Sequence, residues 1–455
     1  MIAIHRIVTG RGHNVAMMVS MLRKLACPRL GLVLAFVVVL LLALPGMAQQ
    51  VAPVIAVLNP TNAPEQSRKP YVVLVSLDGF RYDYVRLHGA RHLEAMAKHG
   101  VHAEAMVPSF PSLTFPNHYS IVTGLYPEHH GIVDNRFYDP VRGEHFSYIQ
   151  TKDGAWYGGS PLWVLAEKQG MRAAAFFWPG TDVEIDGTRP SYYLNYDSKI
   201  EDEMRVQQVL SWLRLPEAER PHFITLYFSE PDHQGHENGP DGQQTIDAIH
   251  HVDAMVGELM DGLKSVHLPV NLIVVSDHGM AAEQGDWINL DTFADLTGFE
   301  TDGLHLYSSD EALRQKAYLA LQGVSDKFTV YRQKDVPAYL HFNDNPRIGD
   351  PVIIPNGPYA IRVHVPKDNP AKQPSQGAHG YDPQKMHEMW AIFYATGPAF
   401  RQHVKLRPFE NVDVFPLIAN ILGLSAPAVD GRADVFKDAM RKPTQNTVSS
   451  AAHVQ

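Results

Sequence analysis

Five short segments of this sequence place a carboxylate, an imidazole or a hydroxyl where a chain reversal is expected. Asp78 follows the apolar run Val72–Leu77 and leads into Gly79-Phe80. Asp277 and His278 follow Ile273-Val274-Val275-Ser276 and lead into Gly279-Met280. Asp232 and His236 stand in Glu230-Pro231-Asp232-His233-Gln234-Gly235-His236, just past the run ending at Phe228. His379 is set in Gly377-Ala378-His379-Gly380, and Thr114 in Leu113-Thr114-Phe115-Pro116-Asn117-His118. Three carboxylates, three imidazoles and one hydroxyl form a donor set that suits zinc over magnesium, with manganese or iron as lesser candidates. Two divalent cations about 4 Å apart would clamp the attacking and leaving oxygens of a phosphoryl group. A threonine hydroxyl held against one of them becomes a nucleophile.

Each segment also has a plainer use. Asp78 fits a turn, and Asp277-His278 a capping pair. His379 fits an ordinary glycine-rich loop. Thr114 fits an N-cap, because Pro116 belongs in the first turn of a helix. The same helix start, however, presents free N–H groups and a partial positive charge to an anion. Asp232 and His236 would share a helix face, but Pro231 and Gly235 favour a loop curling around a ligand. The plain uses, taken together, leave a coherent ligand set as coincidence.

The elements that must position these residues are legible as strand-length apolar runs: Tyr71–Leu77, Ala173–Trp178, Phe223–Phe228, Asn271–Val275 and Trp390–Ala395. Helical periodicity lies between them at Tyr84–Lys98, Leu162–Lys168, Gln244–Lys264 and Val412–Leu422. Fully apolar strands alternating with helices predict an α/β fold, a mostly parallel sheet covered on both faces. In such sheets ligands bind beyond the carboxyl ends of the strands. Residues 296–375 break the rhythm, with strand-like pieces at Ala338–Phe342 and Tyr359–Val365, and are expected to be an inserted subdomain. The expected organisation is a signal peptide over 1–48, a linker over 49–69, a catalytic domain over 70–436 and a disordered tail over 437–455.

The chain has 455 residues, 45% of them hydrophobic, and a formal charge of −10. Residues 1–48 hold five basic residues and no acidic one, so the remainder carries 34 Lys and Arg against 49 Asp and Glu, a net −15. A body that acidic is not expected to grip polymeric nucleic acid through its backbone. Arg23, Lys24 and Arg29 precede an apolar run over Leu30–Leu44, followed by small residues to Ala48, the pattern of a cleaved export signal. The alternative is an uncleaved N-terminal anchor. With cleavage, a secreted or periplasmic protein with no stable membrane partner is expected. Its single cysteine, Cys27, would leave with the signal, so no disulfide is expected.

The motifs Asp78-Gly79-Phe80, Thr114-Phe115-Pro116-Asn117-His118-Tyr119, Gly124-Leu125-Tyr126-Pro127, His130-Gly131-Ile132, Glu230-Pro231-Asp232, Ser276-Asp277-His278-Gly279-Met280 and His379-Gly380 resemble the nucleotide pyrophosphatase/phosphodiesterase family of the alkaline phosphatase superfamily. They run in order from about Tyr71 to Leu424, and jointly they are highly specific. The resemblance implies one metal held by Asp232, His236 and His379, and another by Asp78, Asp277 and His278 with Thr114. It implies attack by Thr114 to give a phospho-threonine, followed by hydrolysis. It also implies that Asn135, beside the Phe115 N–H, binds a non-bridging phosphate oxygen, and that Phe115, Tyr196 and Tyr227 form a slot for a nucleobase. Animal members carry disulfides and extra domains, so the chain resembles a bacterial member reduced to its catalytic core.

A neutral Asn135 suits a diester. An arginine or a third metal would suit a monoester, and the Cys/Ser-x-Pro-x-Arg pattern of sulfatases is missing. A phosphomonoesterase, a phosphonate hydrolase and a lipid-headgroup phosphodiesterase stay open as alternatives on the same metal core, and a non-catalytic metal or phosphate binder leaves Thr114 unexplained. The expected partners are small nucleotides or other phosphodiesters.

Overall fold

The apolar runs become neighbouring strands of one sheet. The computed structural model describes residues 54–57, 61–150, 152–364 and 375–441, all within the unit Pro53–Gln455. Nine strands form the sheet: β1 (Ile55–Ala56), β2 (Tyr71–Leu77), β3 (Val101–Ala103), β4 (Ala173–Phe176), β5 (Tyr192–Leu194), β6 (Phe223–Phe228), β7 (Val270–Val275), β8 (Phe393–Thr396) and β9 (Val404–Leu406). Their order is β1-β5-β4-β6-β2-β7-β8-β3-β9. The run β5-β4-β6-β2-β7 is parallel throughout, while β1 and β8 are antiparallel to their neighbours. All seven residues of β2 and all six of β6 are buried, which is why both read as uninterrupted apolar runs.

The helices that cover the sheet include α1 (Arg91–His99), α2 (Thr114–Thr123), α3 (Leu162–Lys168), α4 (Asp202–Leu213), α5 (Asp232–Asn238), α6 (Gln243–Val266) and α7 (Val414–Leu422). Val72 and Leu74 of β2 share one core with Tyr119 and Ile121 of α2, Leu162 and Trp163 of α3, and Phe415 and Ile418 of α7. Period-two alternation turns Val73 and Val75 to the opposite face. The helix expected over Tyr84–Lys98 is split. A single π-helical turn, Val85–Gly89, precedes α1, and the buried Asp253 carboxylate on α6 accepts from the N–H groups of His92 and Leu93 at the start of α1.

Residues about 284–362 form a smaller unit with a core of its own, including Leu290, Leu296, Phe299, Leu306, Leu321, Phe328, Ile353 and Ile361. The insertion thus begins a dozen residues before the composition change that marked it. Tyr359–Arg362 is a strand, as its pattern indicated. Ala338–Leu340 instead forms a 3-10 turn, bounded by Pro337 and by His341 at φ 48°. Part of the stretch read as a linker is built into the body: β1 pairs with β5, and the Asn62 side chain donates to Glu217 O and Arg220 O. The first residues of the expected tail also pack, Ala439 being fully buried and the Arg441 side chain donating to Phe400 O. The export signal, its cleavage point, Cys27 and residues 442–455 lie outside the described residues. No helix among the described residues is long and apolar enough to cross a membrane.

Candidate active site

The ends of β6, β2 and β7 lie side by side, because the register sets Ser76 of β2 level with both Tyr227 of β6 and Val275 of β7. The chain leaves all three strands at one place. There Gly79 N–H donates to Asp277 Oδ1 at 3.2 Å, and Asp232 N–H donates to Asp78 O at 3.0 Å. Gly79 has φ +69°, and a Cβ on it would stand 2.8 Å from both Cα and Cβ of Asp232. Only glycine lets these two carboxylate-bearing turns approach so closely.

Asp232 and His236 are on α5, not on the loop that Pro231 and Gly235 suggested. Pro231 occupies the N-cap, where its missing N–H costs nothing. Gly235 is small because a Cβ there would meet Met280 Cε at 2.9 Å. The four-residue spacing therefore does put both side chains on one helix face.

Thr114 is the first residue of α2, after the N-cap Leu113, and no side chain caps that end. Its hydroxyl lies 3.4 Å from His278 Nε2. The loop before it is pinned by buried Asn117, which donates to Pro111 O and Leu113 O and accepts from Ser109 N–H.

The three expected imidazole ligands are oriented alike. Nδ1 of His236 lies 2.8 Å from Gly377 O, that of His278 2.9 Å from Gly279 O, and that of His379 2.9 Å from Ser112 O. A carbonyl only accepts, so each Nδ1 carries hydrogen and Nε2 is the ring atom left to face the site. The His236 and His379 Nε2 atoms are 3.1 Å apart, and each is 3.5 Å from Asp232 Oδ1. Likewise, His278 Nε2 is 3.0 Å from Asp277 Oδ2, 3.6 Å from Asp78 Oδ1 and 3.4 Å from Thr114 Oγ1. A tetrahedral ion with ligands at about 2.0–2.1 Å has ligand-to-ligand edges of roughly 3.3 Å, close to these separations. Asp78 Oδ1, Asp232 Oδ1 and Asp277 Oδ2 are buried without a hydrogen-bond partner, the state of a carboxylate oxygen kept for a cation. The residues present fit two divalent ions.

By distance alone Asp78, His118 and Asp277 also lie together, as do Asp232, His278 and His379. Proton positions decide against His118 as a ligand. Its Nδ1 is bound to Thr114 O at 2.9 Å and sits 3.3 Å from Asp277 Oδ2, while Nε2 meets Ser76 Oγ at 2.8 Å. His118 props the Thr114 backbone and the Asp277 carboxylate from behind. The Thr114/His118 helical spacing was the available signal for it.

Without cations the site is electrostatically frustrated. Burial pushes Asp78 well above the carboxylate range, and the charges of Asp277 and Asp232 push it further. Burial also acts to raise Asp277, but His278 and His118 outweigh it and hold this carboxyl well below its usual value. His278 goes up, because Asp277 overcomes the burial that opposes it. Burial, reinforced by His278 and His236, keeps His379 far below the ordinary imidazole value and thus neutral. Bound cations invert this logic by making the fully deprotonated ligand set the favoured one.

The remaining expected residues are nearby, with differences. Asn135 Oδ1 accepts from the Phe115 N–H at 2.9 Å, which commits that N–H and leaves Asn135 Nδ2 to donate. Tyr227 is less a slot wall than a brace. It is 9% exposed, its hydroxyl donates to Asp78 Oδ2 at 2.6 Å, and burial beside Asp78 keeps that hydroxyl protonated. Tyr196, 54% exposed, stands edge-on to Tyr227 with ring centres 6.3 Å apart. Phe115 packs instead on Tyr148, at 5.1 Å. Tyr148 carried no sequence signal; it follows the hairpin of Arg136–Asp139 and Glu144–Ser147, and its N–H donates to Asn135 O.

A profile of the family described as Type I phosphodiesterase / nucleotide pyrophosphatase matches residues 72–382. Ectonucleotide pyrophosphatase/phosphodiesterase family member 1 of Mus musculus is 37% identical over 405 residues, covering 84% of this chain and 44% of its own length. The chain thus spans less than half the length of that relative. A Schizosaccharomyces pombe protein named as an uncharacterized pyrophosphatase/phosphodiesterase is 36% identical over 386 residues, covering 79% of this chain and 78% of its own. Among solved structures, an inactive variant of murine ectonucleotide pyrophosphatase/phosphodiesterase 5 in complex with AMP superposes with a TM-score of 0.77 at 32% identity, over 82% of this chain and 100% of that one.

Proposed function

The chain belongs to the type I phosphodiesterase/nucleotide pyrophosphatase family, and from that premise we propose that it hydrolyses nucleotide phosphodiester or pyrophosphate bonds at a site loaded with two zinc ions. The observation that carries this reading is the convergence of two donor groups, each with spacings of 3.0–3.6 Å, on either side of a buried His278–His379 ring stack, with the Thr114 hydroxyl at one of them. Asp232, His236 and His379 would hold one ion; Asp78, Asp277, His278 and Thr114 the other. Bound there, the ions supply Lewis-acid stabilisation of the attacking and leaving oxygens.

The chain's own residues do the rest. Thr114 Oγ forms the bond to phosphorus as the bond to the leaving oxygen breaks, and water then releases the phosphoryl group from the threonine. The carbonyls of Gly279, Gly377 and Ser112 keep the imidazoles in one tautomer and orientation. Asn135 Nδ2 donates to a non-bridging oxygen, and as a neutral donor it suits the single charge of a diester. The Phe115–Tyr148 pair and the exposed Tyr196 would supply aromatic faces for a base to stack on. The AMP in the murine relative's complex supports a nucleoside monophosphate as the group retained on the protein. The basic, apolar and small-residue order of the N-terminal segment supports export.

The test is a rate comparison, with zinc present, on the p-nitrophenyl ester of thymidine monophosphate, bis-p-nitrophenyl phosphate and p-nitrophenyl phosphate. Preference for the thymidine ester by orders of magnitude is expected. Preference for the monoester would overturn the role given to Asn135, and equal rates on the two diesters would remove the base from recognition.

A further inference from the structure

Asn135 lies on a segment gripped by the insertion as well as by the catalytic body. Arg347 donates to Gly131 O and Trp156 O at 2.8 Å and to Asp139 Oδ2 at 2.8 Å. Tyr138 N–H donates to the Tyr307 hydroxyl, which itself donates to Arg347 O. His305, on the hairpin Glu300–Asp302/His305–Tyr307 of the insertion, reaches the residue just before Asn135. Its Nε2 is 3.1 Å from Asp134 Oδ2, and its Nδ1 is 2.8 Å from Ile348 O. The carboxylate and the carbonyl both accept, so both ring nitrogens donate: the side chain, 8% exposed, is held there as an imidazolium. Asp134 uses its other oxygen to accept from the Arg136 N–H at 3.1 Å. One carboxylate therefore spans the residues on both sides of Asn135, and His305 fixes that carboxylate.

Resting on the phosphodiesterase reading above, we infer that His305 is a positioning residue for Asn135: through Asp134 it sets the turn that aims the Asn135 amide at the substrate phosphate, and so makes the inserted unit a working part of the site. A contact that only joins the insertion to the body would reach any of the many backbone groups available. This one reaches the carboxylate that clasps Asn135. The other groups facing His305 are Asp302 and the near-parallel Tyr307 ring of its own hairpin, and the tilted Phe342 ring 6.4 Å away. The pair also lines a cavity of about 340 Å³ that reaches His379 and Gly380, so it is open to solvent and can exchange its proton.

The test is a double-mutant cycle on the zinc-loaded full chain with the thymidine ester, using wild type, H305A, N135A and H305A/N135A. Loss of one charge-assisted contact next to the working amide is expected to lower kcat/KM about tenfold in H305A. The same change in the N135A background is expected to cost less than twofold, because nothing is left to position. H305Q, which can still donate to Asp134, should fall between wild type and H305A. It replaces H305A throughout the cycle if that variant shows no cooperative melting. Equal losses in the two backgrounds, or no loss beside Asn135, would overturn the inference. A wild-type protein that turns over no diester refutes the phosphodiesterase reading itself and takes this inference with it; an active wild type with an additive cycle refutes the inference alone.

Discussion

Replacing Tyr227 by phenylalanine separates two accounts of one residue. As a wall of a base-stacking slot, Tyr227 would act through its ring, and Y227F would leave activity unchanged. The structure gives its hydroxyl a different partner, Asp78 Oδ2 at 2.6 Å, in a buried setting where burial and the Asp277 and Asp232 charges already work against the ionised carboxylate. A hydrogen bond to a charged group contributes about 1.5–3 kcal/mol, or roughly ten- to a hundredfold in an equilibrium constant. That range agrees with the usual cost of removing the partner of a metal-ligating side chain. Y227F is therefore expected to bind zinc about ten- to a hundredfold more weakly at the Asp78 site, measured by competition against a chromophoric chelator. Its kcat/KM should fall at limiting zinc and recover largely at saturating zinc. The substrate should be bis-p-nitrophenyl phosphate, which has no base to stack, so that any loss reports on the metal site alone. Wild-type zinc affinity in Y227F would refute the reasoning and return Tyr227 to the slot.

Thr114→Ala should bind zinc and a nucleoside monophosphate but lose turnover by more than about a thousandfold, and no phosphorylated protein should accumulate on acid quenching; a residual rate within tenfold of wild type would remove Thr114 as nucleophile. Chelation should abolish activity and lower the melting temperature, since a ligand at a thousand times its Kd stabilises the folded state by about 4 kcal/mol; zinc should restore both, and full activity after exhaustive chelation would sink the metal mechanism. Burial pulls His305 down, but the hydrogen bond and charge of Asp134 outweigh it and set its pKa above the ordinary value. Its stabilising contribution is thus fully present below about pH 6.5 and is lost as pH rises through the raised folded value. The melting-temperature gap between wild type and H305Q should be widest on the acid side and close as pH rises; a gap that widens with pH would contradict the imidazolium assignment.

What could be read from the sequence, and what could not, divides along sequence distance. The placement of Asp78, Asp277 and His278 was legible because each directly follows a strand end, and a buried parallel strand announces itself as an apolar run. Thr114 was legible as the start of a helix, since Pro116 tolerates the first turn. The properties that make these residues a site were not local. Whether His236, His278 and His379 offer Nε2 or Nδ1 depends on carbonyls at Gly377, Gly279 and Ser112, and the first and last of these are more than 100 residues away. Helix α5 was read as a loop because Pro231 and Gly235 discourage helix on average. In place, the proline sits at the N-cap, and the glycine makes room for Met280. Tyr227 was read through its ring, although its burial next to Asp78 gives the hydroxyl the larger part.

The same division explains why the insertion, expected to shape the substrate pocket, had no residue singled out in it. Its composition marks it as an irregular segment, and nothing in Gly303-Leu304-His305-Leu306 suggests chemistry. The hairpin register sets His305 opposite Asp302 and brings it to Asp134, 171 residues earlier in the chain, one position from the amide proposed to hold the phosphate. Asn135 was singled out by its neighbours in sequence; the residue inferred to steady it belongs to another core. The aim proposed for the Asn135 amide thus depends on the unit inserted between Gln284 and Arg362 as well as on the strand ends.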